Sequence, residues 1–412
     1  MVVAFIMSKK NIICLATLDT KGDEIQYIKD ILRARGHHPI VMDCGTFGEP
    51  TVVPDIAREE VLQSVHRTFE EVRTAGSARK ASEIMIEGLI KTIRALYDSE
   101  QVDGIIAIGG SMGSSMASAA MKVLPLGIPK LLVSTKVAQA GAQGYVGTKD
   151  VMIMPSVADI QGLNRLTKRI LMNAACAICG MVEGSELNPM SSGNQSIVVM
   201  SMLGTTSQCG LQVQSVLENM GYEVVIFHAV GVGGKALEEF VVAEPVIGTI
   251  ELGINEVGND LFGGLATAGP NRLEAAGTKG ILQIITPGHS GYIQFLGPET
   301  IPSQYKDRDI IFHSPQGTAV LLTYDELKVL AAKLADKLND ATGKVKVLLP
   351  TRGFSSWDKE GEKYYNPEKN NLFIEHLEKG LKPSISVRKI DVHINDVKFS
   401  DAIVEEFLKS VG

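Results

Sequence analysis

The chain has 412 residues, a hydrophobic fraction of 45%, 41 glycines and a formal net charge of -7. That length exceeds what one core usually serves, so two domains are expected, and the glycine-rich, aromatic-poor composition fits an α/β protein and excludes a disordered chain. No run of Lys and Arg interleaves with aromatics, which excludes a phosphate-backbone track and leaves nucleic acid outside the expected partners.

Met1 to Met7 is apolar but lacks a basic segment and is too short to span a bilayer; it reads as an extension, with Met7 a second start. No other uninterrupted apolar segment reaches membrane length, so no membrane partner is expected. The 5 cysteines are odd in number and scattered, and Cys14 lies inside an apolar run, which points to a reducing cytoplasm rather than a disulfide framework.

The first strand, Ile12 to Leu18, runs into Asp19-Thr-Lys-Gly-Asp-Glu24 and then the amphipathic segment Ile25 to Arg33. An apolar strand that ends in polar residues at a helix start is a place to bind an anion. Strands follow at Pro39 to Cys44, Gly104 to Ile108, Lys130 to Ser134 and Val151 to Met154. Helical spacing covers Ser82 to Leu96 and Asn164 to Val182. The charged stretch Glu59 to Arg73 reads as a solvated helix face. Cys176 and Cys179 sit one helical turn apart, as on a packed helix face rather than in a redox or zinc motif.

The polar, turn-rich stretch 185–195 predicts a linker between a first domain, 1–184, and a second, 196–412. A fresh strand from Ser196 leads into Leu203-Gly-Thr-Thr-Ser-Gln-Cys-Gly210, repeating the architecture of the first junction. Further strands are predicted from Tyr222 and at Val246 to Leu252, Gly280 to Ile285, Asp309 to His313 and Lys344 to Leu349, with a terminal helix from Ser400 to Ser410. The alternation predicts two doubly wound, Rossmann-like α/β domains with mainly parallel sheets.

Gly109-Gly-Ser-Met-Gly-Ser-Ser115 is a second strand-to-helix junction. Its glycines permit close backbone approach, and amides at a helix start can hold phosphate oxygens; the plain alternative is a tight turn with a serine cap. Paired with Asp19, Thr20 and Lys21 it makes a nucleotide crevice, in which Lys21 neutralises phosphate, Thr20 donates a hydroxyl, and Asp19 holds a metal or a ribose or caps the helix. No Walker A sequence occurs, so P-loop ATPase chemistry has no support. Gly231-Val-Gly-Gly-Lys-Ala236, with Gly233 and Gly234 inside it, fits a loose dinucleotide fingerprint and keeps an NAD(P)-dependent reading open. His228, His289 and His313 near strand ends, with Arg352, outline a second pocket that could bind a small acid or carbonyl metabolite; structural histidines are the competing reading.

The chain resembles the ATP-binding N-terminal region of the plant tobamovirus-resistance protein and its bacterial relatives of unassigned function. The resemblance is carried by Ala16-Thr-Leu-Asp-Thr-Lys21, Gly109-Gly-Ser-Met-Gly113, Gly127-Ile-Pro-Lys130, Tyr145-Val-Gly-Thr148, Pro155-Ser-Val-Ala-Asp159, His228-Ala-Val-Gly-Val-Gly-Gly234, Pro350-Thr-Arg-Gly353 and His393-Ile-Asn-Asp396. It implies a homodimer that holds ATP in the first domain; magnesium is an expected companion, and the cysteines already point to the cytoplasm. The contacts it implies fall on Asp19, Thr20, Lys21, Thr46, Arg79, Gly110, Ser111, Met112 and Gly113. In the second domain the relatives carry an acidic residue after Pro-Gly, where this chain has His289. The resemblance identifies no catalytic residue and no metal ligand. An ATP-binding protein and an ATP-dependent enzyme both remain open.

Overall fold

A computed structural model describes residues 8–137, 142–187, 195–314 and 317–411. The chain divides into two compact units, Met1–Gly193 and Asn194–Gly412.

In the first unit the elements run β1 (Asn11–Ala16), α1 (Leu18–Ala34), β2 (His38–Asp43), α2 (Arg58–Gln63), α3 (Phe69–Arg73), α4 (Ala78–Asp98), β3 (Gly104–Gly109), α5 (Ser111–Lys122), β4 (Lys130–Ser134), α6 (Ala142–Val146), β5 (Val151–Pro155) and α7 (Arg165–Leu187). The strands form one five-stranded parallel sheet in the order β2-β1-β3-β4-β5. Side chains alternate across it. Ile12, Cys14, Ile106 and Ile108 pack with Ile25, Ile28 and Leu32 of α1 and with Ala174, Ala175 and Ile178 of α7. Ile13, Leu15, Ile105 and Ala107 pack on the other face with Met85 and Leu89 of α4 and Met116 and Ala120 of α5. By length and composition α7 could cross a membrane, but Leu171, Ala174, Ala175, Ile178, Cys179 and Val182 spend its apolar stripe on this core.

The second unit comprises β6 (Ile197–Met202), α8 (Ser207–Asn219), β7 (Glu223–His228), α9 (Val232–Ala243), β8 (Val246–Glu251), α10 (Asn255–Phe262), α11 (Ala275–Lys279), β9 (Leu282–Ile285), β10 (Tyr292–Phe295), β11 (Ile310–Ser314), β12 (Gly317–Leu321), α12 (Tyr324–Asn339), β13 (Val345–Pro350), α13 (Pro367–Gly380), β14 (Ser386–Ile390) and α14 (Val397–Val411). Its six-stranded parallel sheet has the order β14-β13-β9-β8-β6-β7. That is the first unit's order with a strand added at the far edge. Helices α8 and α14 cover one face, and α12 and α13 the other.

Both sheets are doubly wound and Rossmann-like, as expected, but the second unit also holds a three-stranded antiparallel sheet, β10-β12-β11. Only its middle segment in sequence, β11, is predicted. Helix α7 extends through Leu187, past the expected start of the linker, and 188–194 lie outside the described residues, as do 1–7. Cys176 is exposed and Cys179 buried, so only one of the pair faces the core. The Glu59 to Arg73 stretch is likewise not wholly solvated. Val61, Leu62 and Val72 are buried behind it.

Candidate functional site

In an open parallel sheet a crevice forms where the strand order reverses, because the chain leaves neighbouring strands toward opposite faces. In the first unit that point lies between β1 and β3, which pair directly with Leu15 opposite Ala107. Helix α1 leaves β1 toward one face and α5 leaves β3 toward the other. The two polar junctions therefore open onto one crevice.

At the first junction the amide of Leu18 donates to Asp43 Oδ1 at 3.1 Å, and the amide of Gly45 to the same oxygen at 2.8 Å. Asp43 is buried at the end of β2, and burial pushes its carboxyl above the ordinary range against the pull of those two amides. The first turn of α1 is broken at Lys21, with φ -130° and ψ 17°. Gly22 follows because Thr51 crowds it: a Cβ there would stand 2.0 Å from Thr51 Oγ1. Asp19 Oδ2 accepts the amide of Gly48 at 3.0 Å, and the exposed Thr20 hydroxyl stands 3.0 Å from that of Thr17.

Lys21 is 9% exposed, yet among the described residues its ammonium makes one long hydrogen bond, 3.4 Å to Gln161 Oε1, and no ion pair. The other buried cations, Lys29, Arg58, Lys130, Arg272 and Lys337, each have a carboxylate within 3.3 Å. A buried charge without a counter-charge is costly. Lys21 stands at the edge of the crevice in that condition.

At the second junction Gly110 precedes α5 and supplies no side-chain cap. The amides of Ser111, Met112 and Gly113 are first-turn donors without acceptors inside the helix. Gly109 allows α5 to start this close to the strand, since a Cβ there would lie 2.7 Å from the Ser114 amide. Behind the turn, buried Ser114 Oγ is 2.6 Å from Ser134 Oγ at the end of β4. Thr46 is 4% exposed on the loop after β2.

Among the described residues Arg79 forms no hydrogen bond or ion pair with this group, and it remains an expected phosphate partner, from the same or a neighbouring subunit. It lies in the first turn of α4, its side chain 87% exposed and paired with Glu83 at 2.9 Å. Lys130 belongs to the opposite end of the sheet, where its buried ammonium donates to the Pro125 and Ile128 carbonyls and to Asp150. Asp43 and Gln161 are contributors that the sequence reading missed. Asp43 had left a signal: a carboxylate inside the otherwise apolar run Pro39 to Cys44.

The second unit does not gather its predicted site. His228 ends β7, and Arg352 follows β13, four strand spacings or roughly 19 Å across the sheet. Arg352 is exposed and held by Asp391 at 2.9 and 2.8 Å. His289 and His313 approach the Trp357 ring, at 4.8 and 5.5 Å between centroids. His289 is buried at φ 54°, with Nδ1 3.1 Å from Thr205 Oγ1, and burial pushes its pKa down to about 3, which leaves the ring neutral near pH 7. Its loop fills the reversal point between β6 and β8: a Cβ at Gly288 would lie 1.7 Å from the Leu252 carbonyl and 3.1 Å from Thr206 Cγ2.

The dinucleotide fingerprint is also occupied. Glu256 Oε1 accepts the amides of Gly231 and Gly234 at 2.6 and 3.0 Å, so the chain's own carboxylate takes the place of a pyrophosphate. Gly233 serves the turn itself, because a Cβ there would strike the His228 carbonyl at 1.9 Å. Glu256, Glu251 and Glu238 all surround the buried Arg272 guanidinium, at 2.6 to 3.0 Å. Burial pushes the Glu238 and Glu256 carboxyls up despite that arginine. Among the described residues His289 and His313 meet at Trp357, while His228 and Arg352 stand apart from each other across the sheet, and Glu256 occupies the glycine turn that an NAD(P) pyrophosphate would need. Among the described residues no group of three or more His, Cys, Asp or Glu is arranged to hold a metal.

Comparison with known proteins gives consistent relatives. A UPF0261 protein of Clostridium tetani is 36% identical over 400 residues, covering 97% of this chain and 98% of that protein. One of Brucella melitensis is 30% identical over 398 residues, covering 96% and 94%. The ToMV resistance protein Tm-1 of Solanum lycopersicum is 32% identical over 419 residues, covering 97% of this chain but 55% of the tomato protein. Residues 10–187 match the N-terminal domain, and residues 195–411 the C-terminal domain, of the family described as Uncharacterised protein family (UPF0261), and the chain belongs to that family.

Proposed function

We propose that the first unit binds ATP in the crevice between β1 and β3. The observation that carries this reading is Lys21, a buried ammonium at that crevice without a carboxylate partner among the described residues. A triphosphate supplies the missing charge. The free amides at the start of α5 and the hydroxyls of Thr17 and Thr20 supply hydrogen bonds around it. Asp19, on the same turn, would meet a magnesium ion carried in by the nucleotide, since Mg²⁺ is commonly held by one or two carboxylates together with phosphate oxygens. The relatives' resemblance adds homodimerisation to the proposal, and the free cysteines suit a cytoplasmic setting.

Calorimetric titration of ATP with magnesium tests the reading. Lys21→Ala should weaken binding by about tenfold or more, since a hydrogen bond to a charged group contributes about 1.5 to 3 kcal/mol. Unchanged affinity in a variant with an unchanged melting temperature would reject the site. Sedimentation of the same samples reads the dimer.

A further inference from the structure

Resting on that reading, we propose that Phe47 is the platform on which the purine ring of the bound nucleotide stacks. The loop after β2 is tied down along its length. The Cys44 amide donates to the Ala16 carbonyl at 3.0 Å, Gly45 to Asp43 at 2.8 Å, Gly48 to Asp19 at 3.0 Å and Thr51 to the Leu18 carbonyl at 3.0 Å. The buried Arg58 guanidinium also donates to the Gly48 carbonyl. Every one of the first four bonds ends on the first junction or on the carboxylate that caps it.

Between these ties the chain turns Thr46 inward, 4% exposed, and Phe47 outward, 81% exposed. Among the described residues of the first unit no other Phe, Tyr or Trp ring is exposed to that degree. A pinned loop that leaves Phe47 bare, one residue from the Gly48 amide that bonds Asp19, forgoes the burial a phenyl group normally gains on folding. A nucleobase stacked on the ring recovers that contact and completes a ligand whose phosphates are proposed to sit at the first junction, to which this loop is bonded. Stacking on an aromatic ring accepts any purine, so the platform contributes affinity more than base selectivity.

A groove of about 750 Å³ along α5, lined by Ser111, Ser115, Ala119 and Tyr145, is the competing place for the nucleoside. Ile90, Val123, Lys122 and Lys136 also line it, and its one aromatic ring, Tyr145, is half-buried where Phe47 is bare.

The test compares ATP with inorganic tripolyphosphate, which lacks sugar and base, on the full chain. Phe47→Ala should weaken ATP by about five- to a hundredfold and leave tripolyphosphate within about twofold. Phe47→Trp should restore ATP affinity, and its fluorescence should be quenched by ATP but not by tripolyphosphate, against the wild-type signal of Trp357 alone. Equal losses for both ligands in Phe47→Ala, or no loss for either, overturn the platform. Loss of ATP in Ala119→Trp with Phe47→Ala silent moves the nucleoside to the α5 groove. Failure of the wild-type chain to bind either ligand removes the triphosphate site itself and the platform with it.

Discussion

Lys21 and His289 show how the same physical cost, a polar group taken out of water, is met in two ways. Lys21 is buried with one long hydrogen bond to Gln161 and, among the described residues, no ion pair, which the proposed ligand would complete. His289 gives up its charge instead. Because burial lowers its folded pKa from 6.5 to about 3, the unfolded chain binds the proton first as pH falls. Stability of the second unit is therefore full above about pH 6.5 and is lost on acidification toward pH 3, at up to about 1.4 kcal/mol per pH unit. Urea unfolding followed through Trp357 should show this slope, and His289→Asn should flatten it. Asparagine accepts the left-handed backbone and retains a partner for Thr205. A wild-type midpoint that does not move between pH 6.5 and pH 4.5 would contradict the assignment.

At the scale of elements, the strand-to-helix junctions depend on close backbone approach as much as on side-chain chemistry. Gly109 is the clearest case. Any Cβ there meets the Ser114 amide at 2.7 Å and the Gly113 Cα at 2.9 Å, all backbone atoms that cannot rotate away. Gly109→Ala should push the first turn of α5 off the strand, costing about 1 to 3 kcal/mol of stability and at least about tenfold in ATP affinity. Gly180→Ala, inside α7 where nothing lies within 4 Å of the added atom, is the control: it should leave ATP affinity unchanged and raise stability by about 0.5 to 1 kcal/mol. Equal behaviour of the two variants would show that the turn does not set the site. The antiparallel sheet makes the opposite point about local signals. Its strands are four and five residues long, and β10 and β12 show little that a loop would not.

At the scale of the molecule, each unit has its own sheet and its own cores on both faces. A ligand that binds only the folded first unit should stabilise that unit alone, by about 2.7 kcal/mol at a hundred times its dissociation constant. With saturating ATP the far-UV circular dichroism should gain a later transition, while the Trp357 fluorescence transition of the second unit stays in place. A matching shift in fluorescence would mean that the units unfold together or that the second unit binds nucleotide.

The sequence by itself determined the two α/β halves, most of the strands of both parallel sheets and the two polar strand-to-helix junctions of the first. Continuous apolar runs such as Ile12 to Leu15, and glycines at Gly109 and Gly110, are local consequences of burial and of backbone sterics. Tertiary structure decided which of these places is open. The two halves share one strand order, but Gly288 and Glu256 fill the second unit's reversal point and its glycine turn, whereas in the first unit Lys21 has no counter-charge among the described residues. Occupancy of a crevice depends on residues far apart in the chain, such as Glu256 on Gly231 or Asp43 on Leu18, and no local pattern records those pairings.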